Sequence, residues 1–124
     1  MGEHWTREFY RKGDSFDVDA ATASFTPDVR LTFGNNPTVE GIEAVREAYA
    51  ASGNAFKSVR HHIDEVWDPK PGVTIVEAHA DYVRHDDEKL TLPVMMVIRH
   101  HGGGEKIYDY RVYMDIAPVF GDAR

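Results

Sequence analysis

The amino-acid sequence predicts an α+β fold, with helices gathered on one face of a strongly bent antiparallel sheet. Three observations predict it. A helical first half of about 56 residues is followed by four consecutive strand-like runs that fill almost all the rest. The third of those runs, Leu92-Pro93-Val94-Met95-Met96-Val97-Ile98, is apolar on both faces. The last run has two distinct faces: Tyr108, Tyr110, Val112, Met114 and Ile116 alternate with Asp109, Arg111, Tyr113 and Asp115. The first set should meet the helices. Helices can cover only one face of the sheet in so short a chain, so the other face should meet a partner.

The elements follow in order. Trp5, Phe9 and Lys12 recur at helical spacing and Gly13 supplies a stop. Asp14 or Asp17 can cap a second helix, Val18 to Ser24, which would deliver Phe16, Ala21 and Phe25 to the core. Pro27-Asp28 should break it, and Val29, Leu31 and Phe33 then alternate as a short strand. The cluster Gly34-Asn35-Asn36-Pro37 is a turn. Ile42, Val45 and Tyr49 mark a third helix ending near Ser52-Gly53-Asn54. The meander comprises Val59 to Trp67, Val73 to Arg84, Leu90 to His100 and Ile107 to Ile116. Asp68 to Gly72, His85 to Glu88 and Gly102 to Gly104 separate its strands. The three glycines precede a strand, so they form a hairpin turn and not a phosphate cradle.

Residues 1–124 should form one domain, long enough for a core without staples. No cysteine is present, which removes disulfides, thiolate nucleophiles and cysteine-based zinc sites and suits the cytoplasm. The first residues lack a signal-peptide pattern, and no apolar run reaches membrane-spanning length. Fourteen basic against 21 acidic residues give a net charge of −7, and no basic stripe suggests a nucleic-acid partner. No cofactor or metal is expected.

Glu77, His79 and Asp81 recur at strand spacing. His79 and Asp81 would emerge on one face roughly 6.5 Å apart, where a carboxylate can hold an imidazole's tautomer and tune its proton affinity. Alternation allows the opposite register, with Val76, Ala78, Ala80 and Tyr82 facing the core. His62 with Asp64 repeats the pattern on the preceding strand and would face His79 across it. The adjacent pairs His61-His62 and His100-His101 diverge along their strands and cannot chelate one metal together. The aromatics Trp5, Phe9, Phe33, Tyr49, Trp67 and Tyr110 belong to the core by default.

Four stretches resemble the nuclear transport factor 2-like superfamily, and its SnoaL-like branch in particular. They are Gly13-Asp14-x-Phe16, Phe25-Thr26-Pro27-Asp28-Val29, Gly41-Ile42-Glu43-Ala44-Val45-Arg46, and Lys106-Ile107 leading to Tyr113-Met114-Asp115. The resemblance implies a cone-shaped α+β barrel (a cystatin-like roll) with a deep apolar pocket, commonly dimeric through the outer sheet face. It does not fix one chemistry, since the same cone hosts enzymes and binding modules. Aligned on Lys106-Ile107, the acid on the last strand of limonene epoxide hydrolase falls on Val112. That enzyme's arginine and first aspartate fall on His79 and Asp81, and its tyrosine and asparagine on Phe33 and Asn35. The oxyanion-hole acid of ketosteroid isomerase falls on Met96, its base near Thr32 or Phe33, and its helix tyrosine near Phe9 or Tyr10. Neither enzyme's full set is therefore present.

The resulting expectation is acid–base chemistry on a small, apolar, carbonyl-bearing molecule: isomerisation, cyclisation, dehydration or hydrolysis. Asp81 and His79 would move the proton, while Tyr110 and Asn35 would hold the oxygen. Asn35, Phe33, Glu77, His62, Tyr49, Val94, Met96, Val112 and Met114 would line the substrate site. The alternative is a non-catalytic binding or assembly module of the same fold. A homodimer is expected to cover Val76, Ala78, Tyr82, Met95, Val97 and Tyr113.

Overall fold

The computed structural model describes residues 3–120. Helix α1 (Trp5–Asp14) and a short α2 (Val18–Ala21) lead into strand β1 (Phe25–Phe33), then a two-residue β2 (Val39–Glu40) and helix α3 (Ile42–Ser52). Four long strands follow: β3 (Ser58–Lys70), β4 (Val73–Val83), β5 (Lys89–His101) and β6 (Lys106–Tyr113). They form one curled, six-stranded sheet in the order β2-β1-β6-β5-β4-β3, antiparallel except where β1 runs parallel to β6. No helix among the described residues is long and apolar enough to cross a membrane.

Local chemistry explains most of the boundaries. The imidazole of His4 accepts the Thr6 N–H to cap α1, and the Asp17 carboxylate accepts the Ala20 N–H to cap α2. Helix α2 stops at Ala21, three residues short of the expected end. Pro27-Asp28 is not what ends the helix, because α2 has stopped at Ala21 and β1 has begun at Phe25. Both residues lie inside β1, where the register with β6 shifts between Phe25 and Arg30, and such an irregularity tolerates a missing N–H. Pro93 is tolerated for a related reason. The pairing of β6 with β5 ends at the Met95–Tyr113 pair, so β4 alone neighbours Pro93. The last strand stops at Tyr113, before the expected Ile116.

Register decides which side chains meet the helices. Antiparallel partners share a face, and Val76 lies opposite Met96 while Ala78 lies opposite Val94. These four, with Ile98, are buried in one cluster with Phe9 of α1, Val45 of α3, Val29 and Val112. Ala80 and Tyr82 are buried in a second cluster with Phe56 and Val119. The other face carries Glu77, His79 and Asp81, opposite Met95, Pro93 and Thr91. On β6, a bulge skips Tyr108 between the pairs Arg99–Asp109 and His100–Ile107. Ile107 thus takes the core position expected of Tyr108, whose ring stacks on His101 instead. Trp67, expected in the core, stands opposite Ile75 on the outer face and is 44% exposed. Phe16 is also outside the core, at 38% exposed.

The 3₁₀ turn η1 (Gly102–Gly104) joins β5 to β6. Gly104 has a φ of +99°, and a Cβ there would lie 2.3 Å from the Trp5 ring. Only glycine lets α1 seat this closely. Beneath Trp5 runs a chain of bonds that starts buried at His100 and reaches the surface at Asp68 and His4. The Gly104 N–H donates to His100 Nδ1, so His100 is neutral and its Nε2–H donates to Thr74 Oγ1 at 2.8 Å. The Thr74 hydroxyl donates to Asp68, which also accepts from His4 Nε2. Burial holds the His100 pKa below its ordinary 6.5.

Candidate active site

Between the helices and the inner sheet face lies a cavity of about 350 Å³. Its walls are largely apolar. Phe9 and Tyr10 come from α1, Leu31 and Phe33 from β1, Tyr49 from α3, and Met96, Tyr110 and Val112 from β5 and β6. Phe16, Phe56, Val119 and Ile116 line the side nearest the connecting segments.

Two polar arrangements interrupt this lining. The first joins the end of α1 to β3. Asp14 Oδ2 accepts the backbone N–H of His61 at 2.7 Å, and Asp14 Oδ1 lies 2.6 Å from His61 Nδ1. Both side chains are mostly buried, 14% and 18% exposed. A carboxylate only accepts, so this bond places a proton on Nδ1, and in the neutral ring the lone pair that can act as a base is then on Nε2. The imidazole also lies against the Tyr10 ring, with centroids 5.0 Å apart. The second arrangement is a tyrosine pair, in which the Tyr110 hydroxyl donates to Tyr10 Oη at 3.0 Å. Burial pushes both phenols well above 10, and Tyr49 is raised in the same way, so all three stay protonated and can donate.

A second, more open hollow of about 510 Å³ lies on the other side of Asp14 and His61, between α1 and the free edge of β3. Arg7, Arg11, Arg60 and His62 line it. The dyad therefore sits in a partition, with the apolar cavity on one side and a polar hollow on the other.

Of the residues singled out from sequence, Tyr110, Phe33, Tyr49, Met96, Val112 and Met114 line the cavity. The others stand elsewhere. Val94 is buried in the core without lining the cavity. Asn35 is exposed in its turn, and Asn36 and Pro37 reach the cavity in its place. Glu77 is exposed on the outer face. His79 and Asp81 are on that face too, 41% and 47% exposed at their side chains, so the expected orientation into the pocket is reversed. Nor do they pair with one another. His79 bonds Asp64 at 3.1 Å, while Asp81 accepts from Thr91 at 2.7 Å and bonds His62 at 2.9 Å. His62 does face His79 across the strands, as a parallel stack with centroids 4.9 Å apart. The bond from Thr91, with His62 next, keeps the Asp81 pKa below the usual carboxylate range. Among the described residues, no group of three or more histidines and acids is placed to hold a metal ion.

The dyad was missed for a physical reason. Asp14 reads as one of two possible helix caps, and only once Asp17 takes that role is Asp14 spare. A detectable signal was the inward alternation Val59, His61, Ile63 on β3, with His61 the polar member.

Residues 6–110 match the model of the SnoaL-like domain, and the chain belongs to that family. Among curated proteins none matches this sequence. Solved structures show the same fold. A candidate SnoaL-like polyketide cyclase from Jannaschia sp. CCS1 is 19% identical, with a TM-score of 0.79 over 96% of this chain and 90% of its own. SalBIII, an epoxide hydrolase/cyclase-like enzyme of pyran-ring formation in salinomycin, is 20% identical, with a TM-score of 0.77 over 90% and 88%. A protein with a ketosteroid isomerase-like fold from Catenulispora acidiphila DSM 44928, in complex with trimethylamine, is 14% identical, with a TM-score of 0.83 over 98% and 93%. Cyclases and isomerases thus share this fold.

Proposed function

We propose that this SnoaL-like protein is an acid–base enzyme that abstracts a proton next to the carbonyl of a small, largely apolar molecule held in the cavity. Isomerisation would follow if the resulting enolate is reprotonated at another carbon, and cyclisation if it attacks a second electrophilic carbon of the same molecule. Dehydration would follow if it expels a β-hydroxyl, which leaves as water with the proton held on His61. The observation that carries the reading is the Asp14–His61 bond at the cavity wall, with the buried Tyr10–Tyr110 pair lining the same space. His61 Nε2 would take the proton while Asp14 stabilises the imidazolium that forms. Because Tyr110 donates to Tyr10, the Tyr10 hydrogen is left to bond the carbonyl oxygen as it gains charge. The apolar walls exclude water and strengthen both interactions.

The test is hydrogen–deuterium exchange at the α-carbon of a set of cyclic ketones in D₂O, followed by NMR. The wild-type protein should accelerate exchange of at least one of them, and Asp14→Asn should lower that rate about 10²–10⁴-fold. Ketone binding without exchange would favour a carrier of the same fold. Exchange that survives in Asp14→Asn would remove the dyad from the chemistry.

The outer sheet face supports a second proposal, pairing with another copy of the chain. Met95, Tyr113 and Trp67 are 37%, 52% and 44% exposed there, with Val97 partly so. Val76, Ala78 and Tyr82, expected in that interface, face the core and cannot contribute. A specific pair should bury on the order of 1,000 Å² or more.

A further inference from the structure

The link between α1 and α2, residues 13–17, carries more than the dyad's carboxylate. Two residues after Asp14, Phe16 has a φ of +63°. Among the described residues, the other non-glycine with positive φ is Asp87, a residue type that tolerates this region. A bulky aromatic side chain does not, because its Cβ crowds the following carbonyl oxygen in the left-handed conformation.

Such strain persists only where the surroundings over-determine it. Here they do. Ser15 Oγ donates to the Lys12 carbonyl at 2.6 Å and accepts the Asp17 N–H at 3.2 Å. Asp17 is fixed as the cap of α2, and Asp14 is fixed by His61. The link is thus pinned on both sides of Phe16.

Core packing does not account for this strain, since Phe16 is 38% exposed. Its ring lines the cavity and meets Phe56 edge-on, with centroids 5.6 Å apart and planes at 75°. Phe56 in turn meets Tyr82 edge-on at 4.9 Å. Elsewhere around the same cavity, Phe9 meets Tyr110 edge-on at 5.5 Å. Aromatic edges and faces therefore surround the space, and a planar ring is the shape that satisfies several of them at once.

Resting on the reading of the cavity as the substrate site, we infer that Phe16 is a specificity-determining residue, whose ring selects planar, ring-bearing ligands for the dyad two residues away. The strained backbone keeps the ring over the cavity while the same link holds Asp14. Ring position and carboxylate position are coupled through it.

The test uses 2-naphthol, read by its own fluorescence, and 1-octanol, read by displacement of the naphthol. Phe16→Gly, Phe16→Ala and Phe16→Leu should each bind 2-naphthol about tenfold more weakly than wild type. Phe16→Leu should hold 1-octanol within about twofold, because the apolar area is kept and the ring is lost. Phe16→Gly should melt about 2–5 °C above Phe16→Ala, because glycine alone relieves the strain. Equal 2-naphthol affinity in the variants and wild type would overturn the role of Phe16 while leaving the cavity reading intact. Affinities for both ligands that fall in step with melting temperature would also overturn it, by reducing Phe16 to a structural residue. Failure of the wild-type protein to bind either ligand would remove the cavity reading and this inference together.

Discussion

His61 and His62 are neighbours in the chain, and each bonds an aspartate, yet they occupy different media. His61 points inward and shares Asp14 in a partition between an apolar cavity and a polar hollow, 18% exposed. His62 points outward, 40% exposed, where it stacks on His79 and bonds Asp81. Water and salt screen the outer pairs, so they contribute little to stability, and the hollow that His62 lines is open and polar. The inner pair is mostly buried, and protonated phenols line the same cavity. The chemical types are the same on both faces, and burial alone makes one of them a candidate for catalysis.

The largest difference between the faces should appear in Asp14→Asn against Asp81→Asn. The first should lower ketone exchange about 10²–10⁴-fold, and the second should leave it within about twofold. Next in size, Tyr10→Phe removes the donor proposed for the developing oxyanion and should slow exchange about 10²-fold. Tyr110→Phe should slow it less. It leaves Tyr10 in place and costs about 1 kcal/mol of stability for the lost hydroxyl bond, readable in a urea titration.

A smaller effect concerns pH and separates the His100 chain beneath Trp5 from both dyads. The folded pKa of His100 is lowered by burial, so the neutral form is favoured in the folded state. Its stabilising contribution is fully present above the unfolded value of about 6.5 and is lost as pH falls below it. The urea midpoint should therefore drop between pH 7 and pH 5. His100→Gln, which cannot titrate, should flatten that slope even if it lowers the midpoint throughout. Smallest for the chemistry is Met95→Lys with Tyr113→Lys. On the pairing proposal this double variant should sediment as a monomer, with exchange per chain unchanged.

Much of the fold was legible because period-2 alternation and turn residues mark a meander strongly. Local backbone events were not. The bulge at Tyr108 and the tolerated Pro27 follow from sheet register, which no short segment encodes. The site was less legible for the same reason. Alternation alone allowed Val76, Ala78, Ala80 and Tyr82 as the core face, and the structure has them there. Alignment on Lys106-Ile107 turned His79 and Asp81 inward, a one-residue slip that reverses every side chain on β4. The Asp14–His61 contact spans 47 residues, and its partners read separately as a helix cap and half of a divergent pair. Tyr110 needed no such contact, because the two-faced last strand already pointed it at the helices.

The most direct test of the central claim uses the two adjacent histidines as each other's control. Ketone α-proton exchange should be measured by NMR in D₂O for wild type, His61→Gln and His62→Gln, each shown folded by its near-ultraviolet circular dichroism. The inner dyad predicts that His61→Gln falls to the uncatalysed rate and His62→Gln stays within about twofold of wild type. Loss of exchange in His62→Gln with exchange retained in His61→Gln would contradict it and return the chemistry to the outer face.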